Sequence, residues 1–220
     1  MKRPVIVERI PSLFAPLYEK ATKMAGQSYY KQVAKEVATK LKAGNILDLG
    51  TGPGYLPIHI ADRSASITVD GIDLSRRLVH TAKRNAARAG VSGRVHFEVG
   101  NAAGLPCPDE KYDMVISTGM LHMVKDPVKV LKEIHRVLKP GGEAWIYDPA
   151  RISSQINRKE WMESLSLWEW FTYQLFRVFT RINPPREYHR KHVIAMINET
   201  NFRGYEIEEE EHEMKIRLMK

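Results

Sequence analysis

Between residues 28 and 150, short apolar runs alternate five times with segments of helical period. Two strands joined by a tight turn pair antiparallel. Strands separated by an amphipathic helix return to the same side and pair parallel, with helices covering both faces. That pattern excludes an all-β or all-helical fold over this stretch.

Ser28 opens a helix with Tyr30, Val33, Val37 and Leu41 on one face and Gly44 after its end. Asn45 to Leu49 is the first strand, followed by Gly50-Thr51-Gly52-Pro53-Gly54 and a helix carrying Leu56 and Ile60. Ile67 to Asp73 is the second strand. Ser75 caps the next helix, which turns Leu78, Val79, Ala82 and Ala86 inward and has Gly90 past its end. Arg94 to Val99 and Tyr112 to Ser117 are the third and fourth strands. Asp126-Pro127 opens a helix bearing Val130, Leu131, Ile134, Val137 and Leu138; Pro140-Gly141-Gly142 stops it, and Glu143 to Asp148 is the fifth strand. Parallel sheets of this kind bind ligands at the carboxyl ends of their strands, where strand order reverses. The segments that should converge there are Gly50 to Gly54, Asp73, Asn101 and the stretch from Ser117 onward.

The glycine turn narrows the ligand. Glycines at 50, 52 and 54 let the backbone turn sharply and approach a bound molecule, and the helix start beyond them favours an anionic group. Asp73 follows 23 residues after Gly50, at the end of the next strand, where a carboxylate accepts both hydroxyls of a ribose. The pair points to a nucleoside. A dinucleotide loop needs glycine at position 55, which is Tyr55, and no Gly-Lys-Ser/Thr follows to make a P-loop.

These segments resemble class I S-adenosylmethionine-dependent methyltransferases. Ile46-Leu47-Asp48-Leu49-Gly50-Thr51-Gly52-Pro53-Gly54 is similar to their first motif, and Val69-Asp70-Gly71-Ile72-Asp73-Leu74-Ser75 to their second. Gly100 to Pro106 resembles the adenine-lining segment, Tyr112 to Ser117 the fourth strand, and Leu138-Lys139-Pro140-Gly141-Gly142 the turn before the fifth. The likeness covers roughly residues 40 to 150, and the branch it resembles most is the small-molecule, ubiquinone-biosynthesis type. It implies a Rossmann-like, doubly wound, mostly parallel seven-stranded α/β sheet. Helix 187–201 and strands Tyr205 to Glu211 and Met214 to Met219 would close that sheet with an antiparallel hairpin. It also implies S-adenosyl-L-methionine as cofactor and S-adenosyl-L-homocysteine as product. The backbone of Gly50, Gly52 and Gly54, with Thr51, would cradle the methionine end. Asp48 would face its amino group, Asp73 would hold the ribose and Leu74 would pack on adenine. Asn101 stands where the family commonly has Asp, and so would meet the adenine amino group without a charge. Ala102 would offer its N–H, and Ser117 would close the cofactor side.

Methyl transfer asks mainly for alignment, and for a base only if the acceptor must lose a proton. His122, five residues beyond the fourth strand, and Tyr18, in a segment similar to one that folds over the cofactor in this branch, are the catalytic candidates. Tyr147, Asp148 and Arg151 after the fifth strand are candidates for touching the substrate. Ser117-Thr118-Gly119-Met120 is not the Asn/Asp-Pro-Pro-aromatic motif of nucleic-acid amino methyltransferases. Pro106-Cys107 precedes the fourth strand, where pyrimidine-ring enzymes carry their nucleophile after it. No carboxylate at Ser117 serves a metal-dependent mechanism, and no metal site is expected.

Residues 161–179 hold Trp161, Trp168, Trp170, Phe171, Tyr173, Phe176 and Phe179, seven of the chain's 19 aromatic side chains. Apolar groups occupy more than one helical face there, beyond what one core contact needs. A lid over a hydrophobic acceptor, with Trp168 touching it, and a homodimer interface are the two expectations.

Composition sets the remaining limits. The 220 residues suit a single domain, with entry helices over 1–44, a cofactor core over 45–150, the aromatic insert over 151–185 and a closing helix and hairpin over 186–220. One cysteine, Cys107, excludes an internal disulfide. No apolar run is long enough for a helical membrane span, and no apolar stretch directly follows Met1-Lys2-Arg3, so the expected compartment is the cytoplasm. The net charge of +8 is concentrated: residues 1–44 carry nine Lys or Arg against Glu8, Glu19 and Glu36. That motivates an RNA methyltransferase as an alternative to a small-molecule enzyme; a catalytically silent, S-adenosylmethionine-binding partner subunit is the other.

Overall fold

The computed structural model describes residues 11, 13–148, 158–182, 188–210 and 213–220. Arg151, Glu187 and Glu211 lie outside them, and so do the side chains of Trp161 and Phe179.

Seven strands form one sheet in the order β3-β2-β1-β4-β5-β7-β6. They are β1 (Gly44–Leu49), β2 (Ile67–Asp73), β3 (Val95–Val99), β4 (Tyr112–Thr118), β5 (Leu138–Asp148), β6 (Gly204–Glu210) and β7 (Glu213–Met219). The first five pair in parallel, and β7 pairs antiparallel with both β5 and β6. The expected parallel core with a closing hairpin is what forms. Strand order reverses between β1 and β4, so the ligand crevice opens beyond their carboxyl ends.

Helices α1 (Ala15–Lys40), α2 (Tyr55–Ala61) and α3 (Arg76–Arg88) cover one face. Helices α4 (Pro127–Val137) and α7 (Arg190–Asn198) cover the other. Because successive strand residues point to opposite faces, Ile46 joins Val33 and Val37 of α1, while Leu47 joins Leu131 and Ile134 of α4. Ser75 and Asp126 cap α3 and α4 by accepting from Leu78 N–H and Lys129 N–H, as their sequence positions foretold. Helix α5 (Arg158–Glu163) and helix α6 (Leu167–Ile182) make up the aromatic insert.

Two boundaries differ from expectation. Ser28 does not open a helix: α1 begins at Ala15, with a proline in its first turn, and runs through Ser28 without a break. Nor do Pro140-Gly141-Gly142 simply precede β5. Leu138 already pairs with Tyr112, the ladder then slips, and regular pairing resumes at Glu143 opposite Met114. The residues between form a bulge in the strand.

One glycine fixes how closely α3 approaches β3. Gly54 caps α2 with φ +80°, and a Cβ there would sit 2.6 Å from Phe97 Cζ and 2.8 Å from Ala82 Cβ. Gly54→Ala therefore combines backbone strain with overpacking and should destabilise the protein by about 3 kcal/mol. Urea denaturation with an unchanged slope would read the loss; an unaltered midpoint would refute it.

Candidate functional site

At the reversal point the chain forms an open cleft. Gly50, Asp73, Leu74, Asn101, Ala102 and Tyr18 line it together with Met120, Met123 and Val124. The segments expected to converge therefore do so, each at the end of its strand.

The glycine loop is held by Asp73. Its Oδ2 accepts from Gly52 N–H at 2.9 Å and its Oδ1 from Ser75 N–H at 2.8 Å. Burial raises its carboxyl above the usual range, and these two donors oppose the rise. Gly50 and Gly52 take φ of +73° and +54°, the region where glycine carries no penalty. A Cβ on Gly50 would lie 3.0 Å from Met120 Cβ, so the loop also packs tightly against the segment after β4.

Behind the loop lie three buried polar atoms without a hydrogen-bond partner: Asp48 Oδ1, Thr51 Oγ1 and Ser117 Oγ. Such atoms are costly unless a ligand completes them. Burial pushes the Asp48 carboxyl up to about 7; the nearby Thr51 hydroxyl works against the rise and the Asp73 carboxylate adds to it.

Helix α1 closes the cleft from above. Tyr18 lines the cleft beside the glycine loop, where burial and the Asp73 and Asp48 carboxyls push its phenol well above the ordinary range. A Cβ on Gly52 would be 3.5 Å from Tyr18 Cε1. Glu19, the next residue, reaches α3 through Thr81 Oγ1 at 3.5 Å and Arg84 at 3.8 Å. Tyr30 is buried one layer deeper, shifted in the same direction by burial and by Tyr18 and Asp48. Sequence reasoning assigned Tyr30 only to a helix face, because nothing in its spacing told that α1 sets this side chain within the reach of Asp48.

The loop after β3 is pinned from α4. Glu133 Oε2 accepts from Leu105 N–H at 2.7 Å, and Arg136 donates to the carbonyls of Cys107 at 2.8 Å and Leu105 at 3.1 Å. Asn101 spends its side-chain carbonyl on its own loop, accepting from Ala103 N–H at 2.9 Å. Its remaining lone pair and its amide group are what it offers the cleft.

Beyond β4 stands a hydrogen-bonded histidine–aspartate pair. His122 sits in a single 3₁₀ turn, Leu121–Met123, flanked by the cleft-lining Met120 and Met123. Its Nδ1 lies 2.8 Å from Asp148 Oδ1 at the end of β5, and the Asp148 side chain is 4% exposed. Sequence reasoning named both residues but assigned them separate roles; the register that sets β5 beside β4 is what joins them.

Two candidates fall elsewhere. Tyr147 packs on the α1 face of the sheet and donates to Glu36 Oε2 at 3.1 Å, so alternation along β5 takes it to the face opposite Asp148; neither of the two, nor His122, is among the residues lining the cleft. Trp168 is exposed on α6 and does not line the cleft. Among the described residues no group of three or more His, Cys, Asp or Glu could hold a metal ion.

A family model described as a methyltransferase domain matches residues 40–211. The ubiquinone/menaquinone biosynthesis C-methyltransferase of Geotalea daltonii is 30% identical over 148 residues, which is 64% of this chain and 63% of that protein. The 2-phytyl-1,4-naphtoquinone methyltransferase of Nostoc punctiforme is 33% identical over 153 residues, 67% of this chain and 66% of its own. This chain thus spans just under two thirds of the length of those curated relatives. Among solved structures, a putative S-adenosyl-L-methionine-dependent methyltransferase from Methanococcus maripaludis shares the fold with a TM-score of 0.73 at 23% identity, covering 98% of this chain and 97% of that one. With that model matching most of the chain, and the glycine loop and the Asp73 carboxylate at the reversal point, the chain belongs to the class I S-adenosylmethionine-dependent methyltransferase family.

Proposed function

We propose that the protein transfers a methyl group from S-adenosylmethionine to a small, largely apolar acceptor carrying an ionisable hydroxyl. The observation that carries the cofactor half is the set of unpartnered buried atoms on Asp48, Thr51 and Ser117 beside the glycine loop. Asp48 would neutralise the ammonium of the methionine end, the loop N–H groups would receive its carboxylate, and Asp73 would accept from the ribose hydroxyls. Leu74 and Ala102 would bracket the adenine. The cofactor brings an already activated methyl group on a sulfonium, so the chain need not activate the donor.

The chain's own work is alignment and proton removal. Tyr18, held over Gly52, would close the cleft and exclude water. His122 donates from Nδ1 to Asp148, which fixes the tautomer and leaves the Nε2 lone pair to take the acceptor's proton. The apolar wall of Met120, Met123 and Val124 supports an apolar acceptor, as do the names of two relatives, one a ubiquinone/menaquinone biosynthesis C-methyltransferase and the other a 2-phytyl-1,4-naphtoquinone methyltransferase.

Calorimetry with S-adenosylhomocysteine tests the cofactor half, and absence of binding would end the reading. Labelled methyl transfer to a panel of hydroquinones and phenols tests the acceptor half. With an acceptor found, His122→Ala and Asp148→Asn should each lower kcat by about a hundredfold. KM for S-adenosylmethionine should stay within about twofold, because neither side chain is assigned to the cofactor. An unchanged kcat in both variants would remove the base from the mechanism.

A further inference from the structure

The turn after β3 spends its donors unevenly. Ala103 N–H donates to the Asn101 side-chain carbonyl at 2.9 Å, and Gly104 N–H donates to the Asn101 backbone carbonyl at 3.0 Å. Among the described residues the N–H of Ala102 has no partner, although Ala102 is buried and lines the cleft. A buried donor left open is costly until an acceptor meets it.

What holds this turn in place is unusual. On the β3 side, Gly100 N–H donates to the Asp73 carbonyl at 3.1 Å. On the other side the chain runs Leu105-Pro106-Cys107-Pro108, and two prolines without N–H groups cannot join a ladder. Among the described residues, the backbone of residues 105–109 hydrogen-bonds only to two side chains of α4. Glu133 takes the Leu105 N–H, and Arg136 reaches the carbonyls of Leu105 and Cys107. The two side chains also hold each other. Arg136 Nε donates to Glu133 Oε1 at 2.9 Å, and a second guanidinium nitrogen donates to Oε2 at 2.8 Å. This bidentate fork orients the guanidinium before it meets the loop. Ala102 and Leu105 also pack in the core, but apolar contact carries no direction.

We infer that the Glu133–Arg136 pair positions this turn for base selection, making the cofactor site choose adenine over hypoxanthine. This role rests on the adenine placement proposed above. Adenine presents an acceptor at N1 beside a donor amino group. Hypoxanthine presents the reverse, an N–H at N1 beside a carbonyl. The Ala102 N–H and the Asn101 carbonyl, whose orientation Ala103 N–H fixes, match the adenine edge and oppose the other. The match discriminates only while the donor stays in the plane of the ring. A turn free to drift loses that distinction before it loses its apolar packing. Neither Glu133 nor Arg136 lines the cleft, so both act through the loop.

Calorimetry of the full chain with S-adenosylhomocysteine and with S-inosylhomocysteine tests the assignment. The parent should prefer the adenosyl compound by about a hundredfold. Arg136→Met should bring that preference below about tenfold, chiefly by weakening the adenosyl compound. Arg136→Lys keeps the charge but not the fork, and should fall between the two. The ratio of the two constants is the readout. A variant that is only less stable binds both compounds through the same folded fraction, which leaves the ratio at the parent value. An unchanged ratio in Arg136→Met would overturn the inference; if that variant does not fold, an unchanged ratio in Arg136→Lys would do so. A parent that binds both compounds equally would overturn it as well. A parent that binds neither would remove the cofactor placement itself, and the inference with it.

Discussion

Asp73→Ala should weaken S-adenosylhomocysteine binding by about two to four orders of magnitude, read by calorimetry. The carboxylate accepts one N–H on each oxygen, from Gly52 at 2.9 Å and from Ser75 at 2.8 Å. Each oxygen retains a second acceptor site, and together these match a pair of neighbouring hydroxyls. Two hydrogen bonds to a charged acceptor, at about 1.5–3 kcal/mol each, set the size of the loss. A residue that served the ligand alone would leave the fold unaffected. The structure says otherwise: the same carboxylate fastens the glycine loop to the start of α3. A stability loss of about 1–2 kcal/mol should accompany the binding loss. Asp73→Asn separates the two duties poorly, because its amide nitrogen must face one of the two N–H donors. It should therefore destabilise the loop about as much as alanine. A dissociation constant equal to that of the parent in either variant would refute the ribose assignment.

The parts of this architecture that were readable in the sequence are those governed by local rules. Ile67 to Asp73 forms a strand of the expected bounds because its β-branched Ile67, Val69 and Ile72 are buried in the sheet's core and Asp73 ends the run. Ser75 and Asp126 announce their helices because a cap is a local device. The convergence of Gly50, Asp73 and Asn101 followed from topology once the strands were ordered. What stayed hidden depends on register and on packing between distant segments. His122 and Asp148 lie 26 residues apart on neighbouring elements, and only the slip in the β4–β5 ladder, after the bulge at 139–142, sets them opposite each other. Tyr147 and Asp148 alternate to opposite faces, so their adjacency in sequence gave the wrong partnership. The aromatic insert was legible as surplus apolar surface, but which side it turned outward was decided by Phe14 and Lys20 of a segment some 150 residues earlier.

The opposing demands of stability and binding meet at Asp48. Its side chain is buried with one oxygen unpartnered, and burial pushes its carboxyl up to about 7. In the unfolded chain an aspartate titrates near 3.9, so between about pH 4 and pH 7 the folded state binds more protons than the unfolded one. The stability of the ligand-free protein should therefore fall as pH rises through that window and level off above it. Asp48→Asn removes the buried charge while keeping the shape. It should raise ligand-free stability at pH 8 by about 2 kcal/mol and change it little at pH 4. Binding should move the other way. A cationic amino group beside Asp48 favours the ionised carboxylate, so the parent must release a proton to bind at acid pH. Its affinity for S-adenosylhomocysteine should climb by up to about tenfold per unit toward pH 7 and then flatten. The Asn variant should bind about a hundredfold more weakly at pH 7.5 and lose that slope. Thermal denaturation and calorimetry across the same pH series read both effects on the same samples. A variant that is stabilised at pH 8 yet binds as tightly as the parent would show that Asp48 is a buried charge without a ligand, and would move the ammonium site elsewhere in the cleft.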